Sequence, residues 1–103
     1  MELSNIARYF KALSSEQRLK VFLMILDAER EEDDCCQGVL KAFSRACDLL
    51  NISRSTVSHH IKELEDSGLI ECERQGQSAC CKINESALKE LKGFLSGAKP
   101  RKA

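Results

Sequence analysis

The sequence predicts a mainly α domain carrying one small β-hairpin, in the order α-α-α-α-β-β-α. Three observations carry that expectation. Apolar residues recur at helical spacing in five segments; two of these meet at the short break Asn51-Ile52-Ser53; and past Gly68 the run LIECERQGQSACCKI reads as two strands about a Gln75-Gly76 turn. A chain of 103 residues, 43% apolar and 31% charged, has room for one globular domain with a small core that oligomerisation would reinforce. We assign 1–97 to that domain and 98–103 to a basic, disordered tail whose simplest role is solubility.

The first helix is expected from about Glu2 to Leu13, on the stripe Ile6, Ala7, Phe10 and Leu13. Ser14 and Gln17 have capping-box spacing, so a second helix should start near Glu16 and reach about Ala28. Leu19, Val21, Phe22, Leu23, Ile25 and Leu26 make it apolar around most of its girth, as a central core helix would be. EREEDDCCQG (29–38) then reads as a solvated loop or frayed end. Val39, Leu40, Phe43, Ala46, Cys47 and Leu50 form the third stripe.

The fourth helix is bounded most sharply. Ser53 can accept a backbone N–H as N-cap, and Gly68 can take the left-handed conformation that ends a helix, which limits it to Arg54–Ser67. Val57, Ile61 and Leu64 share its inward stripe, flanked by His60 and Arg54. Ser55, Ser58, His59 and Lys62 face the other way. Short hydroxyls, an imidazole and one cation are unusual on a solvated face and suit contacts to phosphates and base edges. The turn before it meets the demands of a helix-turn-helix: Cys47 is small, Asn51 tolerates positive φ, and Ile52 and Val57 are apolar. Asn84 or Ser86 caps the last helix, whose stripe is Ala87, Leu88, Leu91, Phe94 and Leu95.

Sixteen basic residues balance sixteen acidic ones, so net charge argues neither for nor against nucleic acid. The distribution is more telling. Glu29 to Asp34 holds five acids and one base, while Lys41 to Lys62 carries Lys41, Arg45, Arg54 and Lys62 against Asp48 alone, a mildly basic footprint. No apolar run matches a membrane span or a signal peptide, which implies no membrane association and a cytoplasmic protein with reduced thiols. Its six cysteines show no CxxC spacing, and no Ser or Cys is spaced with His for nucleophilic catalysis, so an enzyme is not expected.

A helix-turn-helix followed by a hairpin is a winged helix. STVSHHIKELEDSGLI with ERQGQSACCKI strongly resembles the ArsR-type repressors, which have a serine-rich recognition helix, a Gly-Leu exit and an R-x-G wing. ALSSEQRLKVFLMIL resembles that family's second-helix signature. The likeness spans about Ile6 to Leu95, interrupted near Arg30 to Gly38. It implies a homodimer built on the first and last helices, with one recognition helix per half-site of a palindromic operator in double-stranded DNA. Ser55, Ser58, His59 and Lys62 would enter the major groove with Arg54 and Thr56 in reach, and Arg74 and Gln77 of the wing would meet the backbone.

Many of these relatives sense metals through a CxCD-like element before the turn. If Asn51 aligns with the family's turn glycine, Cys47 takes its small-residue position and the thiolate positions fall on Ala42 and Ser44, so Cys47 is expected to be buried filler. The family's other metal site, on the last helix, lacks its histidines here. Among the remaining thiols, Cys80 and Cys81 point to opposite strand faces and cannot jointly clasp an ion. With the turn on Gln75-Gly76, Cys72 would oppose Ala79 and lie diagonal to Cys81, about 7–8 Å away and too far for an easy disulfide. A shifted register would bring them closer. No cofactor is certain. A soft ion (zinc, cadmium or arsenite) or an oxidant at Cys72, Cys80 and Cys81, with Cys35 or Cys36, stays open as the inducer beside a purely structural role. The leading expectation is a dimeric repressor released by an inducer; the alternative is a winged-helix protein-interaction module without sequence-specific DNA binding.

Overall fold

The computed structural model describes residues 2–31, 35–75 and 78–97, with side chains outside 28–42 and 74–80. Its elements are α1 (Leu3–Ala12), α2 (Glu16–Glu31), α3 (Cys35–Leu50), α4 (Arg54–Ser67), β1 (Ile70–Gln75), β2 (Ser78–Ile83) and α5 (Glu85–Gly97). The order is the expected one, five helices with a single antiparallel hairpin between the last two. None of the helices among the described residues is long and apolar enough to cross a membrane.

The core forms where α2 packs on α3, α4 and β2. Val21, Phe22 and Ile25 of α2 meet Ala46, Val57, Leu64, Leu69, Ile70 and Ile83, all buried. Beta strands contribute through alternation: Ile70 and Ile83 pair across the hairpin and point inward, while Glu71 and Lys82, the next pair, are exposed.

Several local expectations need correction. On α1 the buried residues are Ile6, Tyr9 and Ala12, while Ala7 and Phe10 are exposed, because the core meets this helix about one residue's rotation from the expected stripe. Ser15, not Ser14, caps α2, its Oγ accepting from Arg18 N–H at 3.3 Å; Ser14 instead turns back and donates to Lys11 O at 2.7 Å. Leu19 and Leu23 of α2 are exposed, so its apolar girth is only partly used. The segment 29–38, read as a solvated loop or frayed helix end, is more helical than that among the described residues: α2 continues to Glu31 and α3 begins at Cys35. Helical hydrogen bonding propagates at little cost once nucleated. Ala46 is fully buried, whereas Cys47 is only half-buried with a free thiol, so Ala46 is the small residue that lets the helices meet closely.

The hairpin register also differs from the expected one. Gln75 pairs with Ser78, which puts Gly76-Gln77 rather than Gln75-Gly76 between the strands and sets Cys72 directly opposite Cys81. Gln-Gly carries no strong turn preference of its own, so inward packing of Ile70, Cys81 and Ile83 sets the pairing.

Candidate nucleic-acid interface

Helix α4 is held at both ends by the residues the sequence singled out. Asn51 takes φ 52°, the left-handed turn that lets the chain reverse between α3 and α4. Ser53 is extended, and its Oγ accepts from Thr56 N–H at 3.2 Å. Gly68 ends the helix at φ 90°, its N–H bonded to Glu65 O and that of Leu69 to Leu64 O. Beyond these caps, tertiary bonds tie down the exit: Arg8 Nε of α1 donates to Ser67 O at 3.0 Å, and Asn84 Nδ2 donates to Gly68 O at 2.8 Å. Asn84 also caps α5, accepting from Ser86 and Ala87 N–H.

The inward face of α4 is Val57, His60, Leu64 and Ser67, with Ile61 half-buried. His60 is thus a core residue: its Nε2 lies 3.3 Å from Gln17 Oε1, while its Nδ1 is buried with no partner among the described residues. Burial, then the nearby charges of Arg18 and His59, lower its pKa and keep the ring neutral. Neutrality suits a histidine packed among aliphatic side chains.

Ser55, Ser58, His59 and Lys62 are all exposed on the opposite face, and Arg54 is exposed at the start. The hydroxyls of Ser55 and Thr56 lie 3.0 and 2.9 Å from Ser53 Oγ, which gathers three hydroxyls at the positive end of the helix. Such a cluster can donate to a phosphate oxygen while the helix start favours the negative charge. The Arg54 guanidinium sits over the Phe43 ring at 4.9 Å, bracing α4 against α3 across the turn. Arg54 is nonetheless exposed, so its N–H groups can still donate. Glu63 was not anticipated: it is half-buried, 3.9 Å from His59 Nε2, and places an acid beside the basic face.

Of the wing residues, Arg74 stands in β1 opposite Ala79, with its side chain outside those described, and Gln77 lies outside the described residues altogether. Cys35 and Cys36 open α3 and Cys80 pairs with Glu73, again with side chains not described. Cys72 and Cys81 are joined by a disulfide, with Cα atoms 4.0 Å apart. Among the described residues no group of three or more His, Cys, Asp or Glu side chains is placed to hold a metal ion. The sequence reading missed Arg8 and Arg18, which line a cleft of about 480 Å³ between α1, α2 and α4 together with Lys11, Glu63 and Asp66. No local pattern could have revealed it, because its walls come from three helices.

A helix-turn-helix domain model matches residues 37–73, the span from α3 through β1. The chain is 32% identical over 90 residues to the HTH-type transcriptional regulator YbzH of Bacillus subtilis, covering 84% of this chain and 90% of that protein. The chain belongs to the ArsR-type winged helix-turn-helix regulators. A cadmium resistance transcriptional regulatory protein CadC homolog of Staphylococcus aureus is 29% identical, over 88% of this chain and 69% of its own. The ArsR family transcriptional regulator RHA00566 shares the fold at a TM-score of 0.66, with 21% identity over 93% of this chain and 88% of that one. The homodimeric winged helix-turn-helix DNA-binding domain Mb0332 of Mycobacterium bovis does so at 0.58, with 20% identity over 91% and 78%. This ArsR-type chain is accordingly a DNA-binding transcriptional regulator.

Proposed function

We propose that the protein is a cytoplasmic repressor that binds a palindromic operator as a homodimer and leaves it when an inducer changes the dimer. The observation that carries this is the division of α4: one face is locked into the core, and the other presents Ser55, Ser58, His59 and Lys62 to solvent on a helix fixed at both ends. In each protomer this face would read base edges in the major groove, the N-terminal hydroxyls and Arg54 would meet phosphates, and Arg74 and Gln77 would follow the adjacent backbone.

The dimer surface follows from α1 and α5, which pack together and leave apolar groups outside. Phe10 and Phe94 meet edge to face at 5.8 Å, and Leu3, Phe10 and Leu95 are 70%, 42% and 59% exposed. A second copy covering this patch would remove it from water and set two α4 helices about one DNA turn apart. The Mycobacterium bovis neighbour is homodimeric, which supports a dimer of this chain. An operator blocked by the dimer would be closed to transcription, and an inducer that favours a different dimer geometry would release it.

Fluorescence anisotropy with duplex DNA from upstream of the protein's own gene tests the reading. Affinity should fall steeply as salt rises, and Arg54→Ala, which removes one phosphate contact from each protomer of the dimer, should reduce the slope of log K against log salt by about two. Absence of binding at low salt would leave a protein-interaction module as the better account.

A further inference from the structure

Cys72 and Cys81 are the unabsorbed feature of the wing. The bond joins the one pair of cysteines that the hairpin register sets face to face. Its position also matters. Ile70↔Ile83 and Cys72↔Cys81 are alternate pairs on the inward face; Cys81 is 5% exposed within the core, and Cys72 is half-buried against it. The bond therefore lies on the inward face, one alternate pair out from Ile70↔Ile83, and Arg74 and Gln77 belong to the segment of chain it spans.

Resting on the reading of the wing as a DNA-contacting element, we infer that Cys72 and Cys81 form a reversible dithiol–disulfide pair, closed by a hydroperoxide, that sets how tightly the wing holds DNA. The half-buried Cys72 sulfur attacks the O–O bond of the hydroperoxide ROOH, giving Cys72 sulfenic acid and the alcohol ROH. Cys81 sulfur then attacks the sulfenic sulfur; the S–S bond forms, the S–O bond breaks, and the hydroxyl leaves as water with the Cys81 proton. Two thiols are oxidised by two electrons and one peroxide is reduced. A small dithiol reverses the step by thiol–disulfide exchange. Closure ties β1 to β2 covalently before the wing meets DNA, so less ordering of the two strands is left to the binding step and the oxidised form holds DNA more tightly.

The test compares the full chain after treatment with hydrogen peroxide and after reduction with a dithiol. Each sample is alkylated and peptide-mapped, and its affinity is measured for the upstream duplex and an unrelated duplex. A variant with Cys35, Cys36, Cys47 and Cys80 all changed to serine isolates the pair, and Cys72→Ser removes it; if the quadruple variant does not fold, wild-type mapping alone decides the pairing. Expected are a Cys72–Cys81 cross-link reversed by dithiol and binding about threefold or more tighter when oxidised. That difference should be absent in Cys72→Ser. Oxidation of Cys72 onto another cysteine or to sulfinic acid overturns the inference, as does a cross-link that leaves affinity unchanged. If neither form binds either duplex, the DNA-binding reading falls and takes the coupling with it, a result distinct from equal binding by both forms.

Discussion

Helix α4 and the wing leave the same core but are held in different ways. α4 is anchored along its length by Val57, His60 and Leu64, capped by Ser53 and Gly68, and bonded at its exit to Arg8 and Asn84. Among the described side chains the hairpin's inward pairs are Ile70↔Ile83 and Cys72↔Cys81, at its base, and it carries no tie like those that fasten both ends of α4. An isolated two-stranded hairpin is marginal in water. On the proposed reading, such a regulator offers a reading helix fixed at both ends and a wing tied to the core at its base.

The comparison can be broken first at Leu64, which is fully buried. Leu64→Ala should cost about 2–5 kcal/mol in urea unfolding, and a cost well under 1 kcal/mol would show that α4 is not anchored through the core. Gly68→Ala should come next, at about 1–2 kcal/mol. An added Cβ would stand 3.7 Å from Tyr9 Cε1, an ordinary contact, so the cost lies in the positive φ rather than in space. Ser53→Ala should lose about 1 kcal/mol by stranding the Thr56 N–H; Ser53→Gly should lose less.

The wing's independence has its own signature. Reducing the Cys72–Cys81 bond should speed amide hydrogen exchange in Ile70–Gln75 and Ser78–Ile83 while leaving the central turns of α4 unchanged. Equal acceleration in both would mean that hairpin and helix open as one unit. A smaller effect concerns pH. The His60 pKa lies below 6.5 in the fold, so the unfolded chain takes up this proton first as pH falls. Above about pH 6.5 the ring is neutral in both states and contributes nothing; below it, stability declines until the folded-state pKa is passed. Between about pH 7.5 and 5.5 the urea midpoint should fall more in wild type than in His60→Gln.

Much of α4 was legible because its controls are local. The serine cap, the glycine exit and the positive φ at Asn51 each depend on residues within one turn of where they act, and the helix bounds are those the sequence predicts. The outward face was legible for the same reason, since spacing alone separates it from Val57 and Leu64. The wing was less so. A one-residue difference in where the turn sits changes every cross-strand partner, and Gln-Gly does not choose between the alternatives.

By itself, then, the chain's order of residues determined the helix-turn-helix, the outward face of α4 and the family to which the protein belongs, all properties encoded over short spans. Only the tertiary structure decided that Tyr9 rather than Phe10 enters the core, that Arg8 and Asn84 fasten the end of α4, and that Cys72 meets Cys81. Those contacts join residues 9 to 59 positions apart, and which partners meet depends on how whole elements pack, a choice set by the shape of the shared core rather than by any neighbouring residue.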